Sequence, residues 1–235
     1  MRFASRKNYG FRLMTVFALC LVFTGVQTAR ANTSKLTFTN IDVPQATQSV
    51  GHAIASDGTV VGLYADQVLA THGFLRCPAG IFMNPIDIQN AAATLILGID
   101  PPAQFVVGVY FDSAGNSHGF LTNRNNLIAF VPVSYFGTVD FPGSIFSLPL
   151  AINTSEEIVG FYLDSSGNEH GYHAMANESN LTVGNFQTID FQSNGVTAAA
   201  TGTFGVNDNG DIVGTYIAPN SPQCRSFELS GSQFN

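Results

Sequence analysis

The sequence has no tryptophan, only three cysteines and few charged residues, which make up 11% of its 235 positions. So small a charged fraction is atypical of coiled coils and of charge-rich disordered chains. Nine lysines and arginines face 16 aspartates and glutamates, so the basic surface of a nucleic-acid-binding protein is missing. The sequence also lacks a persistent 3.6-residue hydrophobic period with capping residues. These absences predict a globular chain with little helix.

The first 31 residues have the pattern of a secretory signal peptide. Four basic residues precede the 14-residue uncharged run Leu13–Val26, and Ala29-Arg30-Ala31 supplies the small residues of a cleavage site. The run is too short for a membrane span, so we expect cleavage after Ala31 and a secreted, extracellular or periplasmic protein; an uncleaved anchor is the alternative. Cleavage removes five basic residues and no acid, which leaves residues 32–235 with a net charge near −12. So acidic a surface disfavours nucleic acid and anionic membranes as partners.

One sequence unit occurs four times after the leader. Its most regular element is an apolar pair followed by glycine and, two residues later, tyrosine, with the glycines at positions 62, 108, 160 and 214. Ten residues after each of the first three glycines comes His-Gly-Phe or His-Gly-Tyr, where the fourth copy has Arg225-Ser226-Phe227. A Phe-x-x-Ile-Asp segment lies upstream in each copy, and a segment resembling Ala-Ile-Asn lies between. These landmarks define units of about residues 36–80, 81–126, 127–184 and 185–235.

The landmarks predict short strands. They are rich in β-branched and aromatic residues, and Gly, Asp and Asn fill the breaks between them. Four strands in each repeat of about 45–54 residues are typical of a propeller blade. We therefore predict an all-β, β-propeller-like domain over residues 32–235, in a closed four-bladed ring whose last blade is completed by the N-terminal strand 36–41. An open array or a truncated larger propeller is the alternative.

The combined pattern resembles the bacterial extracellular HAF repeats. The segments Gly160 to Tyr172 and Gly108 to Phe120 match it best, and the resemblance covers nearly all of residues 32–235. It implies export and a repeated β architecture, and it brings no catalytic residues with it. The fourth unit departs from the pattern, with Ala218 in place of the acid and Arg225 in place of histidine.

Tyrosine, aspartate and histidine recur in three units. Histidine with a carboxylate can serve general acid–base catalysis or bind a metal, but either site needs one asymmetric set rather than a repeated one. We therefore predict that the recurring residues hold strands together: Tyr64, His72, Tyr110, His118, Tyr162 and His170. The Asp-x-x-Gly-Asn loops offer too few oxygen ligands for Ca²⁺ and are typical of Asx turns. No catalytic motif is found, and we predict no catalytic residue, metal or cofactor.

Residues that break the repeat are better candidates for a ligand site. His173 follows His170 closely, and an aromatic insert ends in Tyr135 and Phe136. We predict that His173, Tyr135 and Phe136 contribute to binding. His52 and the pair Glu156-Glu157 also break the repeat.

Two cysteines follow the leader. In an exported protein Cys77 and Cys224 are a candidate disulfide, which would join the first and last units of a ring. Two unrelated thiols are the alternative.

These observations favour an exported, non-catalytic binding or interaction module with a glycan or protein ligand. The alternatives are a secreted polysaccharide hydrolase or lyase and a purely structural component of the cell envelope.

Overall fold

A computed structural model describes residues 36–129 and 132–230 of the chain. The chain divides into two compact units, Met1–Thr39 and Asn40–Asn235, and all strands of the described residues lie in the second. The predicted signal peptide, residues 1–31, lies outside the described residues. Within the described part of the chain, no helix is both long enough and apolar enough to cross a bilayer.

The strands form four antiparallel sheets in chain order and one small hairpin. Sheet 1 contains β1 (Gln48–Ile54), β2 (Val60–Ala65), β3 (Thr71–Arg76) and β4 (Phe82–Ile86). Sheet 2 contains β5 (Ala93–Ile99), β6 (Phe105–Phe111), β7 (Ser117–Asn123) and β8 (Gly137–Thr138), with helix α1 (Arg124–Ala129) before β8. Sheet 3 contains β9 (Phe146–Ile152), β10 (Glu157–Leu163), β11 (Glu169–Asn177) and β12 (Thr182–Ile189). The hairpin β13 (Gln192–Ser193) and β14 (Val196–Thr197) leads to sheet 4, which contains β15 (Ala200–Val206), β16 (Ile212–Ile217) and β17 (Cys224–Leu229).

The prediction of an all-β fold of repeated short strands is confirmed. The sheets, however, are shifted along the chain relative to the predicted units, because the Phe-x-x-Ile-Asp segment supplies the last strand of a sheet and not the first. Sheet 4 therefore has three strands in the described residues. Residues 36–47 are not in a strand, and no closed ring is detected within the described ranges.

Each sheet packs one face against the first strand of the next sheet. Sheet 1 packs on β5, sheet 2 on β9 and sheet 3 on β15. Val61 of sheet 1 and Val106 of sheet 2 are fully buried in one cluster, and Val107 and Ile158 occupy the equivalent positions between sheets 2 and 3. Each such side chain contributes about 1.5–3 kcal/mol when it is fully buried.

The repeated glycine lies where the three central strands come closest. In β6 a Cβ on Gly108 would overlap the carbonyl oxygen of Leu95 on one side and approach Cε1 of Phe120 to 2.9 Å on the other. Gly62, Gly160 and Gly214 have the same carbonyl contact in their own sheets. The glycine of the repeat is therefore required by space, and the aromatic residue of His-Gly-Phe fills the volume that the missing side chain leaves.

The first strand of every sheet has a bulge beside this glycine. The register skips one residue between Gly51 and Ala53 in β1, and it skips the equivalent residue in β5, β9 and β15. A bulge adds one extra residue to a strand and bends the strand. The four extra residues are His52, Leu97, Leu150 and Phe204.

Substitution of Gly108 by alanine tests this packing. We expect Gly108→Ala to lower the free energy of unfolding by about 3 kcal/mol or more, because the added methyl group forces backbone carbonyl and ring apart. Urea denaturation followed by circular dichroism measures the change. The matched control is Gly184→Ala in β12, where a Cβ meets nothing within 4 Å; equal losses in the two variants would contradict the spatial argument.

Candidate functional site

Each of the first three sheets holds one histidine between two carboxylates. In sheet 1, Nδ1 of His72 lies 2.8 Å from Oδ1 of Asp87, and Nε2 lies 3.5 Å from Oδ2 of Asp66. The imidazole ring also lies against the ring of Tyr64 on the neighbouring strand, with 5.2 Å between the ring centroids. Both nitrogens of His72 therefore face acids that directly follow strands of sheet 1.

The same cluster recurs with nearly the same dimensions. His118 has Nδ1 at 3.1 Å from Asp140 and Nε2 at 3.7 Å from Asp112. His170 has Nδ1 at 2.9 Å from Asp190 and Nε2 at 3.6 Å from Asp164. The three clusters lie in three separate sheets. Such internal contacts are those that the predicted strand-holding role requires, and three equal copies do not form the single asymmetric set that catalysis requires.

The loop aspartates are also committed to their own turns. Oδ1 of Asp164 accepts hydrogen bonds from the backbone N–H groups of Ser166 and Asn168, and Oδ2 accepts one from the Asn168 amide. These bonds stabilise the charged form, and the Asn168 side chain makes the largest contribution to lowering the pKa of Asp164 to about 2. Asp112 makes the same bonds, and its pKa is also lowered. In the described residues, no group of three or more His, Cys, Asp or Glu side chains is arranged so that it could hold a metal ion.

The residues predicted to bind a ligand are not equivalent in the structure. His173 is 1% exposed in β11 of sheet 3, with Nε2 at 3.5 Å from Oε1 of Glu157, so it is not on the surface. Burial lowers the pKa of His173, and the neighbouring Glu157 partly offsets the effect. Tyr135 is 53% exposed before β8 of sheet 2, whereas Phe136 is half-buried and packs edge-on against Tyr110 at 5.6 Å. Of the three residues, only Tyr135 presents a large exposed surface.

Cys77 and Cys224 are free thiols, so the predicted disulfide is absent from the structure. Cys77 follows the end of β3, with its sulfur 3.6 Å from Nη2 of Arg124, the first residue of α1. Cys224 begins β17, the equivalent strand of sheet 4. In sheets 1 and 4 stacked in the same orientation, Cys77 would lie near one end of its strand and Cys224 near the opposite end of the equivalent strand, about 20 Å away. A disulfide needs Cα atoms within about 7 Å of each other.

A cavity of about 360 Å³ lies where the first strands of all four sheets meet. Its lining includes the bulged residue of every sheet together with the following Ala-Ile-Asn-like segments. Three of the four bulged residues are apolar, namely Leu97, Leu150 and Phe204, and the fourth is His52. An alignment of the four units places His52 at the same position as these apolar residues, so the sequence shows that His52 breaks the repeat. It does not show that the four residues line one cavity.

His52 gives this cavity one titratable group. Its Nδ1 lies 2.7 Å from the carbonyl oxygen of Leu97, so Nδ1 carries the proton and donates. Burial lowers the pKa of His52, and the bond to the carbonyl partly offsets that effect. The neutral imidazole is therefore favoured at pH 7, and the side chains that line the cavity are apolar apart from His52 and Ser56.

A second cavity, of about 380 Å³, lies beside the connection between sheets 2 and 3. Its lining includes more polar side chains, among them Asn116, His118, Asp140 and Ser144, together with Phe146. His118 and Asp140 belong to one of the three histidine clusters.

Replacing Asp190 tests the strand-holding role of the clusters. We expect Asp190→Asn to lower the free energy of unfolding by about 1–2 kcal/mol, because a charge-assisted bond to His170 is weakened. Chemical denaturation gives the value. Glu228→Gln is the control, since the Glu228 carboxylate is exposed and its one hydrogen bond comes from the Ser230 hydroxyl. An unchanged stability in Asp190→Asn would argue against a structural role.

The lowered pKa of His52 predicts an acid-sensitive stability. The unfolded chain protonates this imidazole near its ordinary value of 6.5, above the pH at which the folded chain does so. Stability is therefore complete above about pH 6.5 and decreases as the pH falls below it. Unfolding curves between pH 7.5 and 5 should show a shallower decrease for His52→Leu than for the native chain, while His173 retains part of the slope. Leu150→Met, at the equivalent bulge, should keep the native slope; an identical slope in His52→Leu would contradict the assignment.

Comparison with known proteins adds no family to these observations. No protein-family model matches the sequence, and a search of curated proteins finds no match to it.

Proposed function

We propose that the chain is an exported β-repeat protein that acts as a non-catalytic binding or interaction module for a glycan or protein ligand. The observation that carries the proposal is the cavity lined by the first strands of all four sheets. The repeat is broken there by His52, and most of the side chains around it are apolar. A concave site lined mostly by apolar side chains, with a few polar groups, is the usual form of a ligand site.

We also propose that the four sheets are the blades of a closed ring. Three successive pairs of sheets use the same packing, with one face covering the first strand of the next sheet. A radial arrangement brings the four first strands to a common centre, which agrees with their sharing one cavity. The N-terminal Phe-x-x-Ile-Asp segment is the one copy of that landmark that no sheet uses in the described residues.

Export and partner class follow from the sequence. The leader pattern favours secretion, to the extracellular space or the periplasm, and the resemblance to HAF repeats favours the same. With four basic residues after position 31 against 16 acids, the domain is better suited to a neutral glycan or a protein with basic groups than to nucleic acid.

A binding screen tests the proposal. The full chain is presented to a glycan array, to cell-wall fractions and to envelope proteins, with and without Ca²⁺, and the dissociation constant of any ligand is measured. We expect His52→Leu to weaken binding about tenfold, because it removes the polar group of the central cavity. Leu36→Ser, an exposed position outside the cavity, is the control for solubility and handling. Absence of binding to every probe would overturn the module and favour a structural envelope component.

Activity measurements separate the module from a polysaccharide hydrolase or lyase. Alanine variants of His72, His118 and His170 are assayed for binding and for release of sugar products. Binding that survives all three changes, with no turnover in the native chain, supports the module. Turnover abolished by one of them in a folded variant would overturn the non-catalytic proposal.

A further inference from the structure

Neighbouring sheets meet at a contact that is the same in all three described interfaces. The glycine of each His-Gly-Phe or His-Gly-Tyr segment faces the residue before the bulge of the next sheet. A Cβ on Gly73 would lie 2.8 Å from Cγ1 of Ile96, and the other two contacts are as close: Gly119 with Cδ of Pro149 at 2.9 Å, and Gly171 with Cγ2 of Thr203 at 3.0 Å. Each interface therefore pairs a glycine on one sheet with a larger residue on the next.

Sheet 4 and β1 carry this pair with the sizes exchanged. Ser226 of β17 occupies the position of the interface glycine, and Gly51 of β1 occupies the position of the larger residue. A Cβ on Gly51 would meet only Cγ1 of Val60, at 3.6 Å, so nothing within sheet 1 requires a glycine there. Glycine weakens a strand unless another group approaches closely. A fourth interface with the same geometry needs one glycine and one larger residue at these two positions, and Gly51 with Ser226 meets that need.

At the same junction, an arginine takes the place of the histidine in the histidine–aspartate pair. The residue after the Phe-x-x-Ile-Asp aspartate donates its backbone N–H to a hydroxyl on the first strand of the following sheet: Ile88 to Thr94, Phe141 to Ser147 and Phe191 to Thr201. Val43 makes the same bond to Ser49, at 3.0 Å, so Asp42 is the fourth equivalent of Asp87. The histidine position facing Asp42 in a fourth interface is held by Arg225, a permanent cation of greater reach.

The two surfaces concerned carry exposed apolar side chains whose equivalents are buried. Val213 of sheet 4 is 52% exposed, whereas Val61, Val107 and Val159 are fully buried. Ile54 of β1 is 68% exposed, whereas its equivalent Ile99 is 6% exposed. One interface of the repeated kind would cover both.

We infer that sheet 4 packs on β1 of the same chain, with Ser226 over Gly51 and the Arg225 guanidinium paired with the Asp42 carboxylate. The inference rests on the ring proposed above and names the residues that close it. The partner of the exposed face of sheet 4 is β1 of the same chain. This follows because the complementary change in size lies on β1 and the complementary charge lies on the segment that leads into it. In the described structure Asp42 and Arg225 are both exposed, and no ion pair joins them.

A double-mutant cycle on Gly51 and Ser226 tests the interface. We expect Gly51→Ile to lower the thermal midpoint by roughly 2–10 °C, because isoleucine overpacks against Ser226. Ser226→Gly in the same chain should restore the midpoint, since the pair then matches Gly73 with Ile96. Without the interface, isoleucine at an open strand position leaves the midpoint unchanged or raises it. That result, or a double variant no more stable than Gly51→Ile alone, would overturn the inference.

Hydrogen exchange on the native chain keeps the test independent of how the variants fold. Slow exchange of β17 amides, comparable with those of β3 and β11, supports closure, and fast exchange would overturn both the ring and the inference. Sedimentation must show a monomer, because a dimer with the same protected amides would assign the face to a second copy.

Exchanging the two charges tests the proposed ion pair separately from the closure of the ring. Asp42→Arg and Arg225→Asp should each lower the midpoint, and the double variant should recover most of the loss. Independent, additive losses together with protected β17 amides would leave the ring and refute the pair. Failure of every ligand in the binding screen, with these results intact, would refute only the proposed function.

Discussion

The fold depends on the close approach of three strands at one glycine in each sheet. In every sheet the carbonyl of the first strand closely approaches this glycine, and in sheets 1, 2 and 4 the aromatic ring of the third strand does so as well, so no side chain fits there. The adjacent bulge adds one extra residue to the first strand, and all four extra residues line the central cavity. The cavity and the identity of its lining are therefore consequences of the same constraint that sets the register of every sheet.

Hydrogen bonding links each sheet to the next through the Phe-x-x-Ile-Asp segment. The Asp140 carboxylate accepts from the backbone N–H of Gly119 and bonds to His118 in sheet 2, while the following N–H of Phe141 donates to Ser147 in sheet 3. One short segment thus fixes the edge of one sheet and the start of another. The ionisable residues that recur are used in this way, and the repeat is broken at two other places: at His52, and at the pair of Ser226 and Gly51.

Much of this could be predicted from the sequence. The landmarks gave the strands, and their β-branched and aromatic composition with Gly and Asp turns gave an all-β fold. The pairing of Tyr64 with His72 across β2 and β3 follows from the spacing of the repeat. The sequence did not show which landmark begins a sheet, because a tandem repeat looks the same wherever the unit is cut. Only hydrogen bonding shows that Ile86 pairs with Gly73 of the strand before it. The burial of His173 was missed because both faces of sheet 3 are covered by other sheets.

The sequence by itself determined the strands, their turns and the four-fold repetition, because side-chain shape and backbone preference act over a few residues. The sequence also has few charged residues, because strands covered on both faces have little room for charged side chains. Only the tertiary structure decided which residues meet, as the placement of His52 with Leu97, Leu150 and Phe204 around one cavity shows. Such contacts join residues some 50 to 150 positions apart, and they depend on how the sheets stack, which no local pattern encodes.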